Sequence, residues 1–144
     1  MNDLIEQLVA KMGDIPGLEI PPKIYQLMQG EVLDYQENKE LTIQFPVKEE
    51  YQNPIGHMQG GMILAAVDNT LGPLSYIVAP PSVTVQLNTQ YIRPVSPKDK
   101  YIKVTAELVD RTRNQLLLRA KVVNELDKLV ALCQATQQII SREN

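Results

Sequence analysis

Asn53–Ala79, NPIGHMQGGMILAAVDNTLGPLSYIVA, is the stretch on which the fold turns. Its opening residues, Asn53-Pro54-Ile55-Gly56, are turn formers, and a residue ahead of proline is pushed away from helical backbone angles. From Gly60-Gly61 onward, Met62, Ile63, Leu64, Ala65, Ala66 and Val67 run apolar through nearly two helical turns. A surface helix shows a single apolar stripe, whereas a helix apolar all round is covered on most sides. The stretch therefore predicts a buried central helix entered through a glycine-rich turn, with one carboxylate, Asp68, set inside it.

Both flanks supply the cover. Upstream, extended segments at Glu31–Tyr35 and Leu41–Val47 flank the polar turn Gln36-Glu37-Asn38-Lys39, which reads as a β-hairpin. Downstream of Pro80-Pro81 come four strands, Ser82–Arg93, Tyr101–Val109, Gln115–Val123 and Leu129–Ile140. In the first of them, alternation puts Val83, Val85, Leu87, Thr89 and Tyr91 on one face and Thr84, Gln86, Asn88 and Gln90 on the other. Short connections make neighbouring strands antiparallel. The expectation is an α+β fold: an antiparallel sheet of five or six strands curled around one long apolar helix. Leu4, Ile5, Leu8, Val9 and Met12 recur at helical spacing ahead of Gly13, so Asn2–Met12 reads as a short amphipathic helix, with a further turn or two at Pro22–Met28. The chain carries no internal repeat or linker. A single domain over residues 1–144 is expected, with residues 1–29 packed on its core as a helical segment.

Composition narrows the function classes. A net charge of −3 argues against binding nucleic acid by phosphate neutralisation. One cysteine, Cys133, cannot form an intramolecular disulfide, and with one histidine, His57, the chain has too few soft ligands for a dedicated zinc or other transition-metal centre. Metal-free chemistry, or none, is expected. Met1-Asn2-Asp3-Leu4-Ile5-Glu6 lacks the basic start of a secretory signal, and no uninterrupted apolar run approaches the roughly 18 residues of a membrane span. These features predict a cytoplasmic protein without a membrane partner.

Taken in order, the elements and motifs from Glu31 to Ile140 resemble the hotdog-fold acyl-thioesterases, and among them the phenylacetyl-CoA thioesterase-like group. The resemblance is carried by Asn53-Pro54-Ile55-Gly56, Gly60-Gly61, Asp68 and the strand Val83-Thr84-Val85-Gln86-Leu87-Asn88-Thr89-Gln90-Tyr91-Ile92-Arg93-Pro94. The family pattern has Asn, three residues to Gly, then His-Gly-Gly and an acidic residue on the helix. Here Gln59 stands where that histidine is usual, and His57 lies two residues earlier. The resemblance implies hydrolysis of a small or medium acyl-CoA to free acid and CoA. It also implies no cofactor, a homodimer that can pair into a tetramer, and Asp68 as general base or nucleophile.

The residues themselves suggest how. Gly60 and Gly61 at a helix start expose amides with no intrahelical acceptor, and the positive end of the helix dipole lies behind them. A thioester carbonyl meeting the Gly60 amide would be polarised, and the charge of its tetrahedral transition state stabilised; the plain alternative is a tight turn that merely needs glycine. Asp68 in an apolar helix is either paired or faces a cavity. It would take a proton from the attacking water or attack the carbonyl itself, or else cap a second helical segment. Eight residues at about 1.5 Å each separate Gly60 from Asp68 by about 12 Å, too far to grip one carbonyl. If both act, two copies of the helix lie antiparallel, Gly60 of one facing Asp68 of the other, and the site belongs to a homodimer. Asn53 and Gln59 would position the lead-in loop or the substrate carbonyl, and Thr84 would orient water. Gly61, His57 and Arg93 complete the candidate substrate contacts, the last toward the CoA phosphates. Two other classes compete: a non-catalytic acyl-CoA-binding module, which Gln59 favours, and a dehydratase, which would need a histidine–acid pair.

Overall fold

A computed structural model describes residues 19–140 together with Leu4, Glu6, Gln7 and Ala10. The helix expected over Asn2–Met12 lies outside the described residues except for those four, which are helical, and Leu4 is buried. The elements that follow are α1 (Lys23–Met28), β1 (Glu31–Gln36), β2 (Glu40–Pro46), a 3-10 turn (Glu49–Tyr51), α2 (Gly60–Val78), β3 (Ser82–Tyr91), β4 (Tyr101–Arg111), β5 (Gln115–Val123) and β6 (Leu129–Ile139). The six strands form one antiparallel sheet in the order β1-β2-β4-β5-β6-β3.

The strands form for the reason their alternation predicts. Leu41, Ile43 and Phe45 in β2 and Ile102, Val104 and Ala106 in β4 are fully buried, while Thr42, Gln44, Lys103 and Thr105 between them are only half-buried. Across the middle of the sheet the register aligns Ala106, Ala120, Cys133 and Thr89 on four neighbouring strands. Register shifts with an extra residue in β1, β3, β4 and β6 bend the strands, and bulges of this kind curl a sheet around what it covers. Cys133, 4% exposed, is part of that core, with the Thr89 hydroxyl 3.4 Å from its sulfur.

Helix α2 runs uninterrupted for 19 residues, straight through Gly72-Pro73, so Asp68, Asn69 and Thr70 do not cap a second segment. Asn69 and Thr70 instead bond back to the Ala65 and Ala66 carbonyls. Ile63, Ala66, Val67, Thr70, Leu71, Leu74 and Ile77 are buried toward the sheet. The opposite stripe is open: Gly61 and Asp68 are exposed, and Leu64, Ala65 and Gly72 are half-buried. The expectation of cover on most sides is thus corrected: one sheet has one concave face, and it covers one side of the helix. With 19 residues and a mean hydropathy of 1.2, α2 is also long and apolar enough to cross a membrane, which the sequence reading did not anticipate. Half of that window is buried in the fold, as in any core helix of this composition.

A second correction concerns β3. The pairing with β6 shifts between Thr84 and Gln86, so that Ser82 and Thr84 share a face with Leu87, Thr89 and Tyr91, while Val83 points the other way. Simple alternation put Val83 and Val85 with Leu87 and placed Thr84 opposite. A bulge adds one residue, and one residue reverses the parity of everything before it. Thr84 therefore faces the helix side of the sheet, not its outer polar face.

Candidate active site

The start of α2 is held from three directions. Asn53 Oδ1 accepts the Ile55 and His57 amides at 3.1 and 3.0 Å, its carbonyl accepts the Gly56 amide, and its own amide donates to the His57 carbonyl at 2.7 Å. The loop can close this tightly because Gly56 adopts φ 84°, a conformation that side chains resist. The Gln59 amide then donates to the Tyr51 carbonyl, and the Met58 amide to that of Val95. From the sheet, the Tyr91 hydroxyl donates to the Gly60 carbonyl at 2.6 Å. A Cβ on Gly60 would stand 3.2 Å from the Tyr91 ring, so glycine here permits a close approach of strand to helix. Around Gly61 there is open space.

Gln59 occupies the N-cap position, with an exposed side chain that makes no capping bond. The Met62 and Ile63 amides both turn to the Gln59 carbonyl, while those of Gly60 and Gly61 have no acceptor among the described residues. Two free donors at the positive end of a long helix form a place where a carbonyl oxygen or an anion is stabilised.

Two turns further on, Asp68 stands at the mouth of a cavity of about 420 Å³. Its walls include Asn69, Pro73 and Tyr76 from α2, Ser82 and Thr84 from β3, and Gln137 from β6. Glu19, Ile20, Pro22 and Tyr25 close it from the N-terminal side. Asp68 makes no hydrogen bond or ion pair among the described residues, and loss of hydration raises its carboxyl above the usual value of 3.8. Its surface is exposed in the single chain, yet enough protein surrounds the carboxyl to cost it hydration. A carboxylate so placed binds a proton more readily than one in water and is a stronger base for it.

Of the candidates read from the sequence, then, one chain brings Asp68 and Thr84 to the same cavity. It gathers Asn53, His57, Gln59, Gly60 and Gly61 at the helix start, outside that cavity. Asn53 spends its side chain on the loop, and the half-buried His57 contributes its backbone there. Arg93 lies exposed with one guanidinium nitrogen on the Leu129 carbonyl at 2.6 Å. Arg111 donates to the Val78 carbonyl and so meets the negative end of α2. Sequence reasoning missed Tyr91, Ser82 and Gln137 as parts of the site. The signal for Gln137 was present: it follows Ala131, Cys133 and Ala135 at a position where the alternation of β6 calls for an apolar side chain. Among the described residues no three of His, Cys, Asp and Glu gather around one point where an ion would sit.

Comparison with known proteins gives the family and the fold. A family model described as the thioesterase superfamily matches residues 55–131, more than half of the chain. Among solved structures, the E. coli PaaI protein from the phenylacetic acid degradation operon superposes with a TM-score of 0.81 at 14% identity, over 96% of each chain. A mutant of the phenylacetic acid degradation protein PaaI from Thermus thermophilus gives 0.76 at 24% identity, over 83% of this chain and 100% of that one. A Streptococcus mutans protein bound to acetyl CoA gives 0.74 at 17% identity, over 91% of this chain and 99% of the other. At these identities the likeness establishes the shared hotdog fold. No curated protein sequence matches the chain.

Proposed function

The chain belongs to the thioesterase superfamily and is a thioester hydrolase, and from that premise we propose that it hydrolyses small or medium acyl-CoA thioesters at two equivalent sites shared between the chains of a homodimer. One observation carries the reading. An unpartnered, desolvated carboxylate at a cavity and a pair of free amides sit about 12 Å apart on one rigid helix, whose outer stripe is uncovered. Pairing that stripe antiparallel with its copy brings Gly60 of one chain to Asp68 of the other.

The reaction then runs as follows. The thioester oxygen lies against the Gly60 amide, with the acyl group in the cavity beside the partner's Asp68 carboxylate. Water, oriented by Thr84, adds to the carbonyl carbon as Asp68 takes its proton. The tetrahedral intermediate re-forms the carbonyl by expelling the CoA sulfur, which receives a proton from Asp68. In the covalent variant Asp68 adds first, the thiol leaves, and water opens the resulting anhydride. Asn53 and Gln59 hold the amides in place, Gly61 leaves room for the substrate, and His57 and Arg93 border the route for the CoA arm.

One further feature supports the dimer. β3 forms one edge of the sheet, and it presents Val83, Val85 and Tyr91, with Ile92 just beyond, as exposed apolar side chains. A ten-residue edge of that kind invites pairing. The acetyl CoA on the Streptococcus mutans protein supports the substrate class. A cytoplasmic setting, where a free thiol such as Cys133 stays reduced, goes with the same reading.

The test is thiol release across an acyl-CoA panel, wild type beside Asp68→Asn. Turnover by the wild type, reduced by about 100-fold or more in a variant that keeps the oligomeric state, is the expected result. Saturable acyl-CoA binding with no thiol released would instead make the protein a binding module.

A further inference from the structure

Position 137 is on the inward face of β6, opposite Thr84 on one side and the fully buried Leu116 on the other. Gln137 is 2% exposed. Burying a carboxamide costs about 1–3 kcal/mol unless its polar atoms find partners. Its oxygen has one, the hydroxyl of Ser82 at 2.7 Å, a residue itself 4% exposed. Its nitrogen has none: the Nε2 group donates to no acceptor among the described residues, and the side chain forms part of the cavity wall beside Asp68. Within the same wall Pro73 has no N–H to give the Asn69 carbonyl, so that helical acceptor lacks its usual partner four residues on.

We infer that the acyl end of this cavity is built for a neutral acyl group bearing a hydroxyl or oxo oxygen, which the Gln137 carboxamide binds as hydrogen-bond donor. This deepens the acyl-CoA reading above and rests on it. A purely hydrocarbon acyl group filling the cavity would strip water from the Nε2 donors and leave them unsatisfied, whereas an oxygen on the acyl group takes their hydrogen bond. A hydroxyl fits twice over, since its hydrogen can go to the freed Asn69 carbonyl. The charge of the wall sets the other limit. Among the described residues, Asp68 and Glu19 line it, and no lysine, arginine or histidine does. Glu19 is paired with Lys23 Nζ at 3.8 Å whereas Asp68 faces no cation, so a second carboxylate on the acyl group would meet the Asp68 charge uncompensated. Gln137 acts on choice of substrate, not on the bond being broken, because the proton and the carbonyl are handled by Asp68 and Gly60.

The experiment measures kcat/KM by thiol release for hexanoyl-CoA, its hydroxyhexanoyl-CoA isomers and adipyl-CoA, on wild type, Gln137→Leu and Gln137→Met. One hydrogen bond predicts that the best hydroxy isomer exceeds hexanoyl-CoA by about tenfold on the wild type. Adipyl-CoA should be the poorest substrate, and the hydroxy-to-hexanoyl ratio should fall to about one in both variants. General damage to the fold would lower all rates together and leave the ratio unchanged. If the wild type hydrolyses hexanoyl-CoA at least as well as every hydroxy isomer, the inference is overturned while the hydrolase reading stands. A preference that survives in either variant overturns the assignment to Gln137. Absence of turnover on every substrate overturns both readings together.

Discussion

The Asp68 carboxyl has no partner among the described residues, so its proton is governed by lost hydration and not by a neighbouring charge. This fixes the sign of its effect on stability. A carboxyl whose value is raised on folding binds its proton more tightly in the folded chain, so stability falls as pH rises from 3.8 through the raised value. Above that window the ionised group is a net cost to folding. Asp68→Asn carries no charge at any pH and is expected to melt higher than the wild type at neutral pH. The difference should shrink toward zero below pH 3.8 in thermal unfolding scans. A variant that abolishes turnover yet stabilises the chain marks a residue kept for chemistry and not for packing.

At the scale of elements, α2 and the loop before it carry the site, and their geometry suggests a substitution that removes one donor and little else. Gly60 is the first residue of the helix, where proline fits because that amide has no intrahelical partner. Gln59 ahead of it already has φ −60° and ψ 137°, which is what a residue preceding proline requires. Gly60→Pro, with the exposed Tyr91 ring giving way slightly, is expected to leave the helix intact by circular dichroism and to lower kcat by about 100- to 1,000-fold. Gly61→Leu probes the open stripe instead. With nothing near its Cβ it should fold at least as well in one chain, leucine being the better helix former by about 0.8 kcal/mol. It should nonetheless sediment as a monomer and lose activity if a second helix packs there. Much at this scale was legible in the sequence: the apolar run 62–67 and the glycine start gave the central helix, and the extended segments around Gln36–Lys39 gave the hairpin β1–β2. What alternation could not give was the bulge at 84–86, because a bulge is set by strand pairing and leaves little trace in residue type. That is why Thr84 was placed on the wrong face, and why the roles of Ser82 and Gln137, which depend on the same register, were not seen.

For the whole molecule, the outer stripe of α2 and the edge of β3 stand open among the described residues. The two halves of the chemistry lie at opposite ends of the same stripe, so activity and assembly are linked. The most direct measurement is subunit complementation. Asp68→Asn and Gly60→Pro homodimers each lack one half of both sites, and mixing them forms heterodimers in which one site regains an intact Gly60 amide and an intact Asp68. With random exchange at equal amounts, half the dimers are mixed and half of their sites are whole, so thiol release should recover to about a quarter of the wild-type rate. Activity in the exchanged mixture no greater than that of the separate variants would contradict a site shared between two copies of the helix.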